Sequence, residues 1–379
     1  MLELPPLSLY IHIPWCVQKC PYCDFNSHES RGAIPEQNYV NALLSDFRQE
    51  LPHFQNRELH SIFIGGGTPS LFAAKSIDTV LSGIEKMVKF SDHIEITLEA
   101  NPGTADAKKF TDFRSAGITR LSIGIQSFND QHLRTLGRIH NAAEARRAIQ
   151  IAREAGYDNF NLDLMHGLPQ QSPDEAVDDL LAACEFEPAH LSWYQLTVEP
   201  NTVFYNSPPS LPSESRMERI RERGMAILSE NAYEQYEVSA FSKPSKVSAH
   251  NMNYWQFGDY LGIGAGAHGK LSDAKNNRIR RTRKIKQPAQ YQASDGEYTA
   301  EVTEIDEDQR ALEFLMNALR LKQGFSIRQF EPRTGLPFSA IEKKVEYLIS
   351  TDFLFKNGDN IAASERGYLV LNSLLEEFL

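Results

Sequence analysis

The chain has 379 residues, 41% of them hydrophobic and 23% charged, and a net charge of −11. That length can bury a large core and suits one large domain, alone or with a smaller companion. The acidic balance disfavours nonspecific nucleic-acid binding, and four cysteines in so long a chain exclude a secreted disulfide scaffold.

The N-terminal Met1-Leu-Glu-Leu-Pro-Pro has no basic segment leading into an apolar one, so no signal peptide is expected. Nor is a spanning helix expected, because no apolar run reaches about 18 residues. The expectation is a cytoplasmic protein, with peripheral membrane contact left open.

Leu7 to Ile13 alternates and predicts a first strand. Cys16, Cys20 and Cys23 follow at once, three thiols within eight residues. Thiolates are soft ligands for iron–sulfur clusters, zinc or copper(I). Three of them on a 4Fe–4S cube leave one iron open to a small chelating molecule. A structural zinc wants a fourth ligand, which His12 or His28 could supply. A disulfide would leave one thiol over.

Residues 36–51 read as a helix, with Val40, Leu43, Leu44 and Phe47 on one face. Ser61-Ile-Phe-Ile64 is a short strand stopped by Gly65-Gly66-Gly67. A helix over 72–90 leads to a strand over 93–98, ended by Asn101-Pro102-Gly103. Helix 105–116, strand 120–125, helix 141–155, strand 160–164, helix 173–185, strand 190–196 and helix 213–230 complete the series. Six strand–helix units imply a parallel sheet with right-handed crossovers. Their span suits a partial (β/α)6 barrel, since a full eightfold barrel takes about 250 residues. An open doubly wound sheet is the alternative, weakened because no G-x-G-x-x-G follows an early strand.

Ligands collect at the C-terminal ends of barrel strands. Polar and glycine signals stand there: the cysteines, then Gly66, Gly67 and Thr68, then Glu99 and Asn101, Gln126, Asp163, and Thr197 with Glu199. Gly, Pro and Asn at such places are also ordinary turn chemistry. Cys184, on an outer helix far from the loop, reads as a small buried hydrophobe.

Past residue 232 the pattern changes. Tyr233 to Ala240 looks like one further strand. An aromatic, glycine-rich stretch follows, with His250, Asn251, Tyr254, Trp255 and His268. Residues 278–286 are dense in positive charge and read as an exposed strand face. Gln287 to Thr303 reads as a polar connection. Helices from about Asp306 and over 338–350, a hairpin around Asn357-Gly358-Asp359, and a closing helix over 367–379 suggest a small α+β tail of winged-helix type. Without a basic recognition helix, it is not read as a DNA reader. The domains expected are 1–240, a linking extension over 241–303, and 304–379.

The spacing Cys-x-x-x-Cys-x-x-Cys, followed two residues later by Phe25, resembles the radical S-adenosylmethionine (SAM) superfamily. Within it the chain is similar to the oxygen-independent coproporphyrinogen III oxidase family. The likeness runs through Tyr10-x-His-Ile-Pro-x-Cys16, Gly65-Gly-Gly-Thr-Pro-Ser70, Glu99-Ala-Asn-Pro102, Ser122-Ile-Gly-Ile-Gln-Ser-Phe128 and Asp163-Leu-Met-His-Gly-Leu-Pro169. His250-Asn251-x-x-Tyr254-Trp255 matches the haem-chaperone branch. The oxidases carry a fourth cysteine where this chain has Phe25, and a longer N-terminal segment.

The resemblance implies that Cys16, Cys20 and Cys23 hold a 4Fe–4S cluster whose open iron chelates SAM. It implies SAM contacts from Tyr10, Gly66, Gly67, Thr68, Glu99, Gln126, Arg138 and Asp163. It implies a haem site using His250, Asn251, Tyr254 and Trp255. Imidazole is a common axial ligand of haem iron, and a basic run could pair with propionates. The expected partners are haem, acceptor haemoproteins of the respiratory kind, and an electron donor; a homodimer is left open. Oxidative decarboxylation of coproporphyrinogen III is the competing expectation.

Overall fold

Alternation along the strands decides the architecture. In β1 (Leu7–Ile13), Leu7, Leu9, Ile11 and Ile13 are buried towards surrounding helices. Ser8, Tyr10 and His12 point the other way, as the period of two requires. The computed structural model describes residues 1–379 and repeats this pattern in β2 (Leu59–Gly66), β3 (Phe90–Ala100), β4 (Arg120–Gln126), β5 (Phe160–His166) and β6 (His190–Gln195). These six strands are parallel and lie in sequence order. A doubly wound sheet reverses its strand order part-way. This one does not, so the crossover helices share one face and the sheet curls into a partial barrel.

The crossover helices are α1 (Glu36–Glu50), α2 (Ala74–Glu85), α3 (Ala107–Ser115), α4 (Ala142–Glu154), α5 (Pro173–Cys184) and α6 (Glu214–Glu230). Their starts follow local chemistry. Asn141 with Glu144, and Ser172 with Glu175, form capping boxes at α4 and α5. Pro173 takes the first helical position of α5, where its missing N–H is harmless. Cys184 closes α5 and is buried in the main core.

The sheet goes on past both ends of the barrel, to twelve strands. Beyond β6 lies a hairpin, β7 (Glu234–Glu237) and β8 (Ala240–Ser242), where one strand was expected. α7 (Ala249–Trp255) comes next. β9 (Asp259–Ile263) then pairs parallel with β1. β10 (His268–Asp273), β11 (Arg278–Lys284) and β12 (Thr299–Glu304) extend it antiparallel. Residues 241–303 thus continue the barrel sheet, and Leu261, Ile263, Leu271, Tyr291 and Tyr298 belong to the main core.

Two expectations for this stretch are corrected. The basic run is not an open face. Arg281 pairs with Glu313, Arg283 with Glu301, Arg278 with Glu304, and Lys284 is buried between Asp46 and Glu50. The polar connection contains a short helix, Pro288–Ala293, and the edge strand β12. β12 is exposed at every residue, so no hydrophobic alternation announced it.

A second core lies under the tail. It joins Phe314, Leu315, Phe325, Phe330, Val345 and Leu354 to Leu2, Phe257 and Ile279 of the main body. The tail has α8 (Glu307–Ala318), helices Ile327–Thr334 and Glu342–Ser350, and a three-stranded antiparallel sheet. The closing helix is interrupted at Val370. Glu313 of α8 reaches Arg281 on β11, while Arg320, just past α8, reaches Glu237 on β7. The tail therefore straddles the open side of the barrel.

Candidate functional site

The C-terminal ends of the six strands enclose a cavity of about 420 Å³. Cys16, Cys20 and Cys23 line it, together with Gly66, Gly67, Thr68, Glu99, Gln126, Arg138 and Asp163. Seven of the eight expected SAM contacts are brought together there. The eighth, Tyr10, sits on the barrel-facing side of β1. Its hydroxyl meets His12 Nδ1 at 3.0 Å and its ring stacks on Phe63.

The cysteine loop is closed by its own ends, since Trp15–Cys16 pairs with His28–Glu29. Asn26 ties it to the sheet by donating to the carbonyls of Ala265 and Lys286, both at 2.9 Å. His12 Nε2 lies 2.9 Å from the Asn26 carbonyl, so both ring nitrogens of His12 are engaged. Gly66 and Gly67 have a reason the sequence did not reveal. A Cβ on Gly66, at φ +116°, would meet the His12 ring at 2.5 Å. One on Gly67 would meet the Trp15 carbonyl oxygen at 2.6 Å. Glycine is needed here so that the cysteine loop can cross the end of β2.

The donor set fits an iron–sulfur cube. All three thiols are free and half-buried. Burial first, and mutual repulsion among the reasons after it, pushes the Cys16 thiol up, against a hydrogen bond from Thr68. Burial pushes the Cys23 thiol up as well. Holding three thiolates together therefore calls for positive charge in their midst, which iron supplies. A single zinc would need its ligands gathered about one point. It would also need a fourth ligand, and of the two candidates His12 has both ring nitrogens engaged while His28 Nε2 lies 3.3 Å from Asn26 Oδ1. Arg138 adds fixed positive charge beside the loop. Its Nη1 lies 3.7 Å from Cys20 Sγ, and its buried Nε has no partner.

The far wall carries two carboxyls. Glu99 accepts from the Gly66 amide at 3.0 Å. Burial, reinforced by the nearby Asp163, pushes its pKa up to about 8. Asp163 is raised by burial, against hydrogen bonds from Asn161 and Ser122. Such a pair suits a cationic ligand, which would relieve both. Gln126 stands in the left-handed region at φ 69°, where the register of β4 against β5 shifts. Strain of this kind concentrates at ligand sites. Ser122 and Tyr194 also line the cavity and were missed. The period of two along β4 and β6 was the signal that could have found them.

The His-Asn-x-x-Tyr-Trp segment lies elsewhere. It forms α7, which packs on β1, β2 and β9, away from the cavity. His250 and Asn251 turn inwards. His250 Nδ1 lies 3.0 Å from Ser61 Oγ, its ring packs on Phe63, and burial holds its pKa down to about 3. Asn251 donates to the Tyr236 hydroxyl. Tyr254 is 37% exposed, and Trp255 is covered by the Arg320 guanidinium. Glu95 accepts from Ser248 Oγ and the His250 amide, fixing the start of the helix. His268, by contrast, is exposed on β10, directly across from Arg283.

The family model for the radical SAM superfamily matches residues 10–183, and that for the HemN C-terminal domain matches residues 305–370. The chain is 52% identical to the haem chaperone HemW of Haemophilus influenzae, over all of this chain and 99% of that one. It is 48% identical to the haem chaperone HemW of Escherichia coli over the full length of both. This chain belongs to the HemW family. Its fold is also that of the coproporphyrinogen III oxidase HemN of Escherichia coli, with a TM-score of 0.83 over 99% of this chain and 90% of that one. At 23% identity that likeness shows a shared fold. The HemW family thus uses a radical SAM scaffold.

Proposed function

We propose that this protein is a haem chaperone that binds a 4Fe–4S cluster, SAM and haem, and delivers haem to acceptor haemoproteins such as those of the respiratory chain. The observation that carries the cofactor reading is the common cavity. Cys16, Cys20 and Cys23 open onto the same space as Gly66, Gly67, Thr68, Glu99, Gln126, Arg138 and Asp163. The haem reading comes from the HemW relatives. The thiols need a reducing compartment, which favours the cytoplasm, and the cluster needs an electron donor.

In this reading Cys16, Cys20 and Cys23 hold three irons of the cube. A cube with SAM on its open iron supplies one-electron reductive cleavage of the sulfonium. Glu99 and Asp163 offer negative charge to the cationic cofactor. Arg138 steadies the Cys20 thiolate, and Tyr22, packed near Phe204, shields that side of the loop.

Phe25, 62% exposed, stands where the oxidases carry a further cysteine, and this favours haem transport over coproporphyrinogen chemistry. Haem contact by His250 requires α7 to swing out of its seat on Phe63 and Ser61. Of the further candidates His12, His166 and His268, the first two are buried and His268 is exposed, needing no such movement. Haem titration of the anaerobic, cluster-loaded protein, with SAM and reductant, tests the reading. The expectation is stable haem binding and no multiple-turnover conversion of coproporphyrinogen III. Turnover of that substrate would overturn it in favour of the oxidase. Loss of haem binding in His250→Ala supports the α7 site, whereas loss only in His268→Ala moves the ligand to β10.

A further inference from the structure

A line of buried and half-buried polar side chains crosses the barrel from α7 to the cavity. Asn251 Nδ2 lies 3.4 Å from the Tyr236 hydroxyl. That hydroxyl lies 2.8 Å from His190 Nε2, and His190 Nδ1 lies 2.6 Å from Asn161 Oδ1. Asn161 Nδ2 then donates to Asp163 Oδ1 at 2.8 Å. We infer that Asn161, His190, Tyr236 and Asn251 are positioning residues, forming one directed hydrogen-bond chain that holds the Asp163 carboxylate in place for a cationic ligand. The inference rests on the reading of Asp163 as a SAM contact.

Chemistry fixes the direction. A carboxylate only accepts, so Asn161 must turn its NH₂ to Asp163 and its carbonyl to His190. The second amide hydrogen of Asn161 goes to Ser122 Oγ at 2.8 Å, and Ser122 donates to Asp163 Oδ2 at 3.0 Å. His190 must then carry its proton on Nδ1, leaving Nε2 as an acceptor. Burial holds the imidazole well below its ordinary pKa, so it is neutral and has only one N–H. Tyr236 therefore donates to Nε2, and its oxygen accepts from Asn251. Every donor points towards Asp163, and each bond polarises the next.

A chain of this kind is costly unless it serves a purpose, because any broken link leaves a buried polar group unpaired. Other groups face the same carboxyl. Glu99 on β3 repels it, Arg120 on β4 attracts it, and Ser192 and Tyr194 face it from β6. Arg120 and Tyr194 also lie near Tyr236, so the test reads the shape of the pH profile and not affinity alone.

The test is SAM affinity, measured by calorimetry on anaerobic, cluster-loaded protein across a range of pH. Tyr236→Phe removes one oxygen from the middle of the chain and keeps the ring. A carboxylate binds a cation above its pKa and loses it as pH falls through that pKa. Losing the chain raises that pKa, so the affinity curve should move to higher pH. The expectation is weakening of about three- to tenfold on the acid side of the profile, shrinking towards equality as pH rises. His190→Gln, which can still donate and accept, should recover part of what His190→Leu loses. Asp163→Asn tests the underlying reading and should lose SAM binding at every pH. If Asp163→Asn loses SAM while Tyr236→Phe keeps the wild-type affinity and pH profile, the chain has no positioning role. A loss in Tyr236→Phe that is the same at all pH values would mark it as merely structural. Unchanged SAM binding by Asp163→Asn would overturn the SAM reading of that residue, and this proposal with it.

Discussion

Arg138 Nη1 donates to Cys20 Sγ across 3.7 Å, while its Nη2 is held by the Gly124 carbonyl at 2.9 Å. A guanidinium fixed at one end by a strand backbone is a rigid source of positive charge beside one cluster ligand. Arg138→Gln should keep the three cysteines but weaken their hold on a negatively charged cluster. The expected result is lower iron and sulfide content after chelator challenge, and a reduction potential shifted to more negative values. Wild-type retention and potential would remove Arg138 from the cluster environment.

The four cysteines separate into two classes. Cys20→Ala should abolish the cluster and, with it, SAM chelation. Cys184→Ala removes only a buried sulfur at the end of α5 and should cost about 1 kcal/mol of stability. Iron analysis of both variants decides the assignment. Loss of iron from Cys184→Ala would mean that this thiol does more than pack.

Glu99 predicts a pH dependence of the ligand-free protein. Its folded-state pKa, about 8, lies above its ordinary value of 4.5. A carboxyl raised in this way binds its proton more tightly when folded. Its contribution to stability is fully present below about pH 4.5 and is lost as pH rises through 8. Asp163 is raised too and adds in the same direction. Thermal unfolding between these limits should show stability falling with pH, and Glu99→Gln should flatten the slope. SAM should restore stability most at the alkaline end. A slope unchanged in Glu99→Gln would assign the effect to other groups.

The cavity residues were legible because barrel strands put their last residues round one mouth, and Gly66, Glu99 and Gln126 stand at such ends, while Asp163 lies half-way along β5. The same rule did not find Ser122, inside β4, or Tyr194, the last residue but one of β6. It could not find β12 either, because Thr299–Glu304 is held by cross-strand pairs such as Arg283–Glu301 and buries nothing. The placement of α7 was hidden for another reason. Its seat is built from Ser61, Phe63 and Glu95, far away in sequence, and short-range periodicity carries no trace of them.

Lys284 shows how far the cluster loop depends on distant charge. Its ammonium is 1% exposed and lies 2.6 Å from both Asp46 and Glu50 of α1. Asp46 in turn accepts from the Tyr291 hydroxyl and from the Gly264 amide. The next amide, Ala265, donates to Tyr39, whose hydroxyl donates to the His12 carbonyl. The Ala265 carbonyl receives Asn26 from the cysteine loop. Lys284→Met would leave Asp46 and Glu50 buried without a counter-charge. Breaking such a pair from one side costs about 3–5 kcal/mol. Denaturant unfolding of the cluster-free protein should show a loss of that order. Asp46 could escape part of it by taking up a proton, so the loss should shrink as pH falls. Because the same bonds anchor Asn26, the variant should also take up iron and sulfide less completely at temperatures where it is still folded. Full stability in Lys284→Met would mean that water reaches the site and screens the two acids. Lost stability with unimpaired cluster assembly would separate the ion cluster from the loop.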